Sequence, residues 1–233
     1  MKQRKLLLCL SCLTLLSACS KPNTSYFPLA DGYSWKYHVT TKTMGGEAQQ
    51  KFIATIIETQ SIEGKETSVK QTLTGLQILF QNNDAGTKRI GYRIPEGALY
   101  KNVEDEFLIL PAKNVLDAEW DSFITTQTLS LSKPENKNNQ LNAKIPVKNK
   151  IESLTDMVKV RAGEFRNCLR LHTKGFAFTT LDNYIGRTLV EIEQTNWYAP
   201  GVGLVKSVLI ETTTSDALNR GELIMELESY AGL

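Results

Sequence analysis

From Tyr33 to Thr40 the chain reads Tyr-Ser-Trp-Lys-Tyr-His-Val-Thr, with an aromatic or β-branched residue at every odd position and a polar one at every even position. An extended strand turns successive side chains to opposite faces, so the alternation separates apolar from polar only if the segment is a strand. A helix would scatter the same residues around its circumference. The pattern recurs. Lys88–Ile94 sets Ile90, Tyr92 and Ile94 on one face, Phe123–Leu131 aligns Phe123, Leu129 and Leu131, and Glu222–Tyr230 aligns Leu223, Met225 and Leu227. Phe52–Glu58 is apolar on both faces, and Thr67–Gln81 is long and β-rich, with Gly75 as a bend or bulge. Ala98–Tyr100 with Phe107–Leu110, Val158–Val160, Phe165–Thr173, Thr188–Tyr198 and Leu204–Thr212 supply the remaining strand candidates. Turn residues fall between them at Ile62–Glu66, Asn82–Gly86 and Pro200–Gly203. The chain is therefore expected to be all-β: about ten strands in a curved antiparallel sheet, rolled into a barrel or half-barrel. Asp216–Glu226 reads alternatively as a short helix, because Ala, Leu, Arg and Glu favour one.

Chemistry-bearing patterns are sparse. HExxH and GxSxG do not occur, and the one C-x-x-C spacing, Cys9–Cys12, lies in the apolar run that precedes Cys19, so neither a cofactor nor a metal is expected. Glu104-Asp105-Glu106 reads as a solvated acidic turn, with nothing apolar beside it in sequence to raise a carboxyl pKa. His38 falls on the polar face of its strand and reads as solvated. Arg166, Cys168, Arg170, His172 and Lys174 alternate with Phe165, Leu169 and Leu171, which predicts one basic strand face carrying a thiol. Flanking cations would lower that thiol's pKa. A direct Cys168–His172 pair is excluded, since residues four apart on a strand lie about 13 Å apart; a small buried thiol is the simpler reading. Trp35, Trp197 and Tyr198 are the aromatic residues placed to line a ligand- or partner-contacting surface, although tryptophans at strand positions more often pack in a core.

The start of the chain carries a different kind of information. Lys2, Arg4 and Lys5 precede an apolar run, Leu6–Leu16, that is too short to cross a bilayer as a helix, and Leu16-Ser17-Ala18-Cys19 follows. That order of charge, apolar run, small residues and cysteine resembles the lipobox of a bacterial lipoprotein signal peptide. The resemblance implies cleavage before Cys19 and lipidation of its thiol and new amino group. It also implies an expected division into residues 1–18 as signal peptide, 19–26 as lipidated tether and 27–233 as one β-rich periplasmic domain, with a polar loop at 132–144. Ser20 rather than Asp after the cysteine implies release to the periplasmic face of the outer membrane of a Gram-negative cell. Without residues 1–18, 24 of the 27 basic residues remain against 25 acidic ones, a formal balance of −1. Such a balance gives no electrostatic ground for nucleic-acid binding. Cys9 and Cys12 would leave with the signal, so Cys168 would be the one remaining thiol.

Three separated pieces complete the picture: Phe27-Pro28-Leu29 with Gly32 and Trp35-Lys36-Tyr37, Ala162–Cys168, and Trp197-Tyr198-Ala199-Pro200-Gly201-Val202-Gly203-Leu204-Val205-Lys206. Together they resemble uncharacterised exported bacterial lipoproteins. The resemblance implies an antiparallel β fold tethered to a membrane and transfers no catalytic residue. Three functions follow as expectations. The first is non-enzymatic binding or assembly in the cell envelope, with a protein or lipid partner. The second is a carrier of lipid or another apolar ligand in a half-barrel, and the third is a hydrolase with carboxylates brought together from separate strands. If the lipobox reading holds, labelled palmitate is incorporated by the wild type and not by Cys19→Ala; continued incorporation by the variant would contradict it.

Overall fold

The computed structural model describes residues 24–94, 101–129, 143–180, 186–218 and 220–232, the side chains of 101–105 excepted. Cys19 and its flanks, the strand candidate at 98–100 and nearly all of the polar stretch at 132–144 lie outside the described residues.

The first six strands are β1 (Ser34–Thr43), β2 (Gly46–Ile62), β3 (Lys65–Thr72), β4 (Gln77–Asn83), β5 (Gly86–Arg93) and β6 (Lys101–Pro111). The other six are β7 (Glu119–Thr125), β8 (Lys144–Val160), β9 (Gly163–Thr180), β10 (Arg187–Ala199), β11 (Gly203–Thr213) and β12 (Gly221–Ala231). All twelve belong to one sheet in the order β6-β5-β4-β3-β2-β1-β12-β11-β10-β9-β8-β7. The chain is thus two meanders joined where its first strand pairs antiparallel with its last, from Ser34 opposite Ala231 to Thr43 opposite Gly221. The expectation of a curved antiparallel sheet holds, with two more strands than were counted. Among the described residues there is no helix: the alternative helix at Asp216–Glu226 gives way to β12, which starts at Gly221, the residue opposite Thr43.

Curling brings the two free edges together. The Trp120 indole N–H on β7 donates to the Leu108 carbonyl of β6 at 3.0 Å, and the Phe107 and Phe123 rings meet edge to face at 5.1 Å. Among the described residues no backbone ladder joins β6 and β7, and the edges meet through side chains along this seam.

The odd positions of β1 point inward as their alternation predicts. Tyr33, Trp35, Tyr37 and Val39 are all buried and share a core with Ile56, Val158, Cys168, Val205 and Leu227. A second cluster gathers Leu129, Ile145, Val147, Val190, Ile192 and Leu209, and a third gathers Leu110, Ile151, Leu169, Leu171 and Tyr198.

The three sequence pieces singled out above meet at one end of this barrel. The Trp35 indole N–H donates to the Val202 carbonyl at 2.6 Å, and the Tyr37 hydroxyl donates to Leu204 at 3.0 Å. Phe27 lies 5.2 Å from the Phe80 ring and 6.3 Å from the Tyr198 ring, while the Tyr26 hydroxyl donates to the Asn167 carbonyl. Pro200–Gly203 makes the tight β10–β11 turn, and the Gly201 amide donates to the Ser25 carbonyl. A Cβ on Gly203, whose φ is +95°, would sit 3.3 Å from Pro28; the approach of the N-terminal arm to the turn requires glycine there.

Several local expectations are corrected. Thr67–Gln81 is two strands, split by a turn in which Gly75 takes φ +83°. Glu104-Asp105-Glu106 lies within β6 rather than in a turn, and Glu106 pairs with Lys88 at 2.9 Å. His38 is not freely solvated: it is half-buried, with its Nε2 enclosed and unpartnered. The strand through Cys168 is irregular, since Asn167 adopts φ +54° and the β8–β9 register slips between Ser153 and Val158. Cys168 therefore does not share a solvent face with Arg166, Arg170, His172 and Lys174. It is fully buried, and so is its neighbour Leu169.

Trp35 is 2% exposed with its one donor satisfied. Trp35→Ala is expected to destabilise the barrel by about 3–5 kcal/mol, read as a lowered urea midpoint; an unchanged midpoint would contradict its place in the core.

Candidate functional site

The interior is not uniformly apolar, and its polar residues lie on the strands that face the seam. On β8 the inward series is Val147, Asn149, Ile151; on β9 it is Leu171, Thr173; on β10 it is Ile192, Gln194, Asn196, Tyr198. Between these strands and the seam lies a cleft of 440 Å³, walled by Phe107, Phe123 and Tyr198 and floored by Asn149, Thr173, Gln194 and Asn196. Its size falls within the usual range for small-molecule sites.

Most of the floor is already hydrogen-bonded. The Asn149 amide donates to the Trp120 carbonyl at 3.2 Å and the Ser122 hydroxyl at 2.7 Å, and its oxygen accepts from the Thr173 hydroxyl at 2.7 Å. Gln194 donates to the Ser207 hydroxyl at 3.0 Å. Asn196 is the exception: it is 8% exposed, and its enclosed Oδ1 has no hydrogen-bond partner. An unmade hydrogen bond on a buried amide is costly, and a ligand supplying a donor would remove that cost.

Tyr198 separates this cleft from a second cavity of 180 Å³, lined by Phe27, Trp35, Tyr37, Phe52, Phe80 and, from β3, Lys70. The Lys70 ammonium lies 4.4 Å from the Trp35 ring centroid, 5.3 Å from Phe27 and 5.8 Å from Phe80. Such contacts are favourable, particularly where water is excluded. They do not replace hydration fully, and burial pulls the Lys70 pKa down to about 8. Burial also pushes the Tyr37 and Tyr198 phenols well up, so both remain protonated donors at neutral pH.

The aromatic residues singled out from sequence have different fates. Trp35 lines the smaller cavity and Tyr198 lines both. Trp197 faces the other way, its indole N–H donating to Asp156 at 3.0 Å, where Arg170 also binds at 3.1 Å. Burial alone would raise the Asp156 pKa. Hydrogen bonds from Ser153 and Trp197, together with the Arg170 guanidinium, outweigh it and hold the carboxyl below its ordinary value. Cys168 moves opposite to the expectation from flanking cations: burial, with Asp156 adding to it, pushes the thiol up to about 11. A thiol so protonated and enclosed is a poor nucleophile.

Glu211 is the one carboxylate fully buried among the described residues. It accepts the backbone N–H groups of Gln127, Thr128 and Leu129 at 2.7, 2.7 and 3.2 Å and the Thr128 hydroxyl at 2.6 Å. These bonds fix the chain just after β7. Among the described residues no three His, Cys, Asp or Glu side chains are grouped to hold a metal ion.

Lys70, Asn149, Gln194 and Asn196 were not found from sequence. Lys70 stands in a polar series of its strand, and Asn149, Gln194 and Asn196 interrupt apolar ones, so alternation marks none of them as lining a site.

No protein-family model and no curated protein matches the chain. Two solved structures are distantly similar to it. One is a protein from Bacteroides fragilis described as exported and as having a YmcC-like fold: 13% identical, TM-score 0.44, with 88% of this chain and 98% of that one covered. The other is a protein from Parabacteroides distasonis described as a lipoprotein: 14% identical, TM-score 0.40, with 90% and 99% covered. Neither likeness identifies a residue or an activity in this chain.

Lys70→Met keeps the length of the side chain and removes the desolvated charge. At pH 7 it is expected to stabilise the protein by about 1–3 kcal/mol. Because the folded-state pKa lies below the ordinary 10.5, the unfolded chain binds more protons between about 8 and 10.5. Wild-type stability from this residue therefore rises with pH across that window, and the variant lacks the rise. Urea unfolding at pH 7 and pH 10 measures both; a destabilised variant at pH 7 would show that the ammonium is structural.

Proposed function

We propose that this chain is a lipid-anchored protein of the cell envelope, at the periplasmic face of the outer membrane, that acts by binding rather than by catalysis. In this reading residues 27–233 form one domain on a short tether from lipidated Cys19, and the ligand enters the cleft beneath the β6–β7 seam. The observation that carries it is the chemistry of the cleft wall. Its residues offer amides, hydroxyls, aromatic faces and the Arg89 guanidinium, with no carboxylate, imidazole or thiol among them. Such a wall can orient a small polar molecule by hydrogen bonds and ring contact. It supplies neither a general base near neutral pH nor a nucleophile of the kinds that acid–base or covalent catalysis uses. An envelope protein or lipid remains the expected partner outside the barrel, and the charge balance supports no nucleic-acid role.

A carrier of apolar ligands is the second reading. It is favoured by one observation, the ring-lined cavity around Phe27, Trp35, Phe52 and Phe80.

Native mass spectrometry of the full chain purified from cell envelopes tests these readings. Cleft binding predicts a co-purified small polar molecule that is lost in Asn196→Leu. A clean ligand-free mass would count against it, and a retained apolar molecule would favour the carrier.

A further inference from the structure

Among the described residues the Lys70 cavity contains a charge with no counter-charge. Its lining is Phe27, Pro28, Trp35, Tyr37, Phe52, Ile78, Phe80, Tyr198, Gly203, Leu204 and Met225 besides Lys70 itself, so no carboxylate borders the ammonium. Elsewhere the described lysines often find acids: Lys36 pairs with Glu228 at 2.7 Å, Lys88 with Glu106, Lys150 with Asp117 and Lys206 with Glu226. Lys70 is reached by ring faces only. Its place is set by the sheet: Lys70 stands opposite Ile56 on β2 and Ile78 on β4, in an inward series with Ser68 and Thr72.

From this arrangement we infer that the cavity is a binding site for a small apolar carboxylate, its acid group at Lys70 Nζ and its hydrocarbon against the surrounding rings. Three features select that chemistry. An anion satisfies the ammonium, which in a desolvated setting gains more from a partner than it would in water. Tyr198 lines the same cavity and burial keeps its phenol protonated, a donor for the second carboxylate oxygen, while the Tyr37 hydroxyl is committed to Leu204. The remaining wall is almost wholly hydrocarbon and ring, which excludes a highly polar anion. A ring cage alone would suit a quaternary ammonium; here Lys70 already fills that role and repels a second cation. The volume of 180 Å³ holds a ligand of roughly six to ten non-hydrogen atoms, a short-chain acid rather than a long acyl chain. The lowered ammonium pKa fits a site that lacks an internal anion and leaves Lys70 mostly charged at pH 7.

This inference is independent of the seam cleft, and its test separates the two. Calorimetric titration of the purified full chain at pH 7 with hexanoate, hexan-1-ol and hexylammonium compares one hydrocarbon tail carrying three head groups. The wild type is expected to bind hexanoate at least tenfold more tightly than hexan-1-ol, with no saturable binding of hexylammonium. Lys70→Met is expected to remove the preference for the acid while retaining the wild-type fold, and Asn196→Leu in the seam cleft to leave it unchanged. A wild type indifferent to the head group, or a Lys70→Met variant that keeps the preference, would overturn the assignment. Should Lys70→Met fail to fold, the lysine ¹³Cε resonance in the wild type decides: saturating hexanoate shifts the Lys70 signal and raises its titration midpoint, and an unmoved signal would overturn the assignment.

Discussion

The structure depends on one pairing, the antiparallel ladder between β1 and β12. It joins the first and last strands of the chain in register from Ser34–Ala231 to Thr43–Gly221, with a single bulge at Lys36 and Tyr37. Each remaining strand pairs with a neighbour in sequence, so without this ladder the chain would be two six-stranded ribbons. With it, both meanders inherit the twist of one sheet and curl until β6 and β7 meet. The inward side of β1 then supplies Tyr33, Trp35, Tyr37 and Val39 to the core, and the outward side is laced by Lys36–Glu228 and Lys42–Glu222. Those exposed pairs add little to stability. The apolar face is what fixes the register, because a slip of one residue would turn Trp35 and Tyr37 to water.

Placing the closure between the first and last strands puts the weak line of the barrel at its middle, between β6 and β7. There the edges touch through Trp120, Phe107 and Phe123 and not through a ladder. The seam cleft opens beneath this line, and the Lys70 cavity lies behind Tyr198 toward the end where Phe27 and Pro28 meet the Pro200–Gly203 turn. The geometry thus sets a polar cleft beside an aromatic cavity, each with an interaction unmet among the described residues: an orphaned amide oxygen at Asn196 and an uncompensated ammonium at Lys70. Proteins keep such features against their own stability where binding depends on them.

Much of the fold was legible because strand alternation is a strong local signal. Tyr33–Val39 named its buried face correctly, and the glycine-bearing turns at Gly64, Gly86 and Pro200–Gly203 mark real hairpins. The site was far less legible. Alternation divides a strand into two faces without saying which faces inward, and in β3 the inward series Ser68, Lys70, Thr72 is the polar one. The same holds where Asn149, Thr173 and Asn196 interrupt apolar series that otherwise look like plain core. The bulge at Asn167 was hidden for a related reason: a positive φ in a non-glycine residue leaves no periodic trace, so Cys168 was assigned to the basic face. Trp35 and Tyr198 were singled out as aromatic contact residues and do line cavities, whereas Trp197 points outward to Asp156.

Amide hydrogen exchange across the whole sheet tests this account most directly. The account predicts that amides shared by β1 and β12 are among the slowest to exchange, while the seam-facing amides of β6 and β7 exchange orders of magnitude faster and slow down when the cleft is occupied. Equal protection on both sides of the barrel, unchanged by a bound ligand, would contradict the seam as the entrance to the interior.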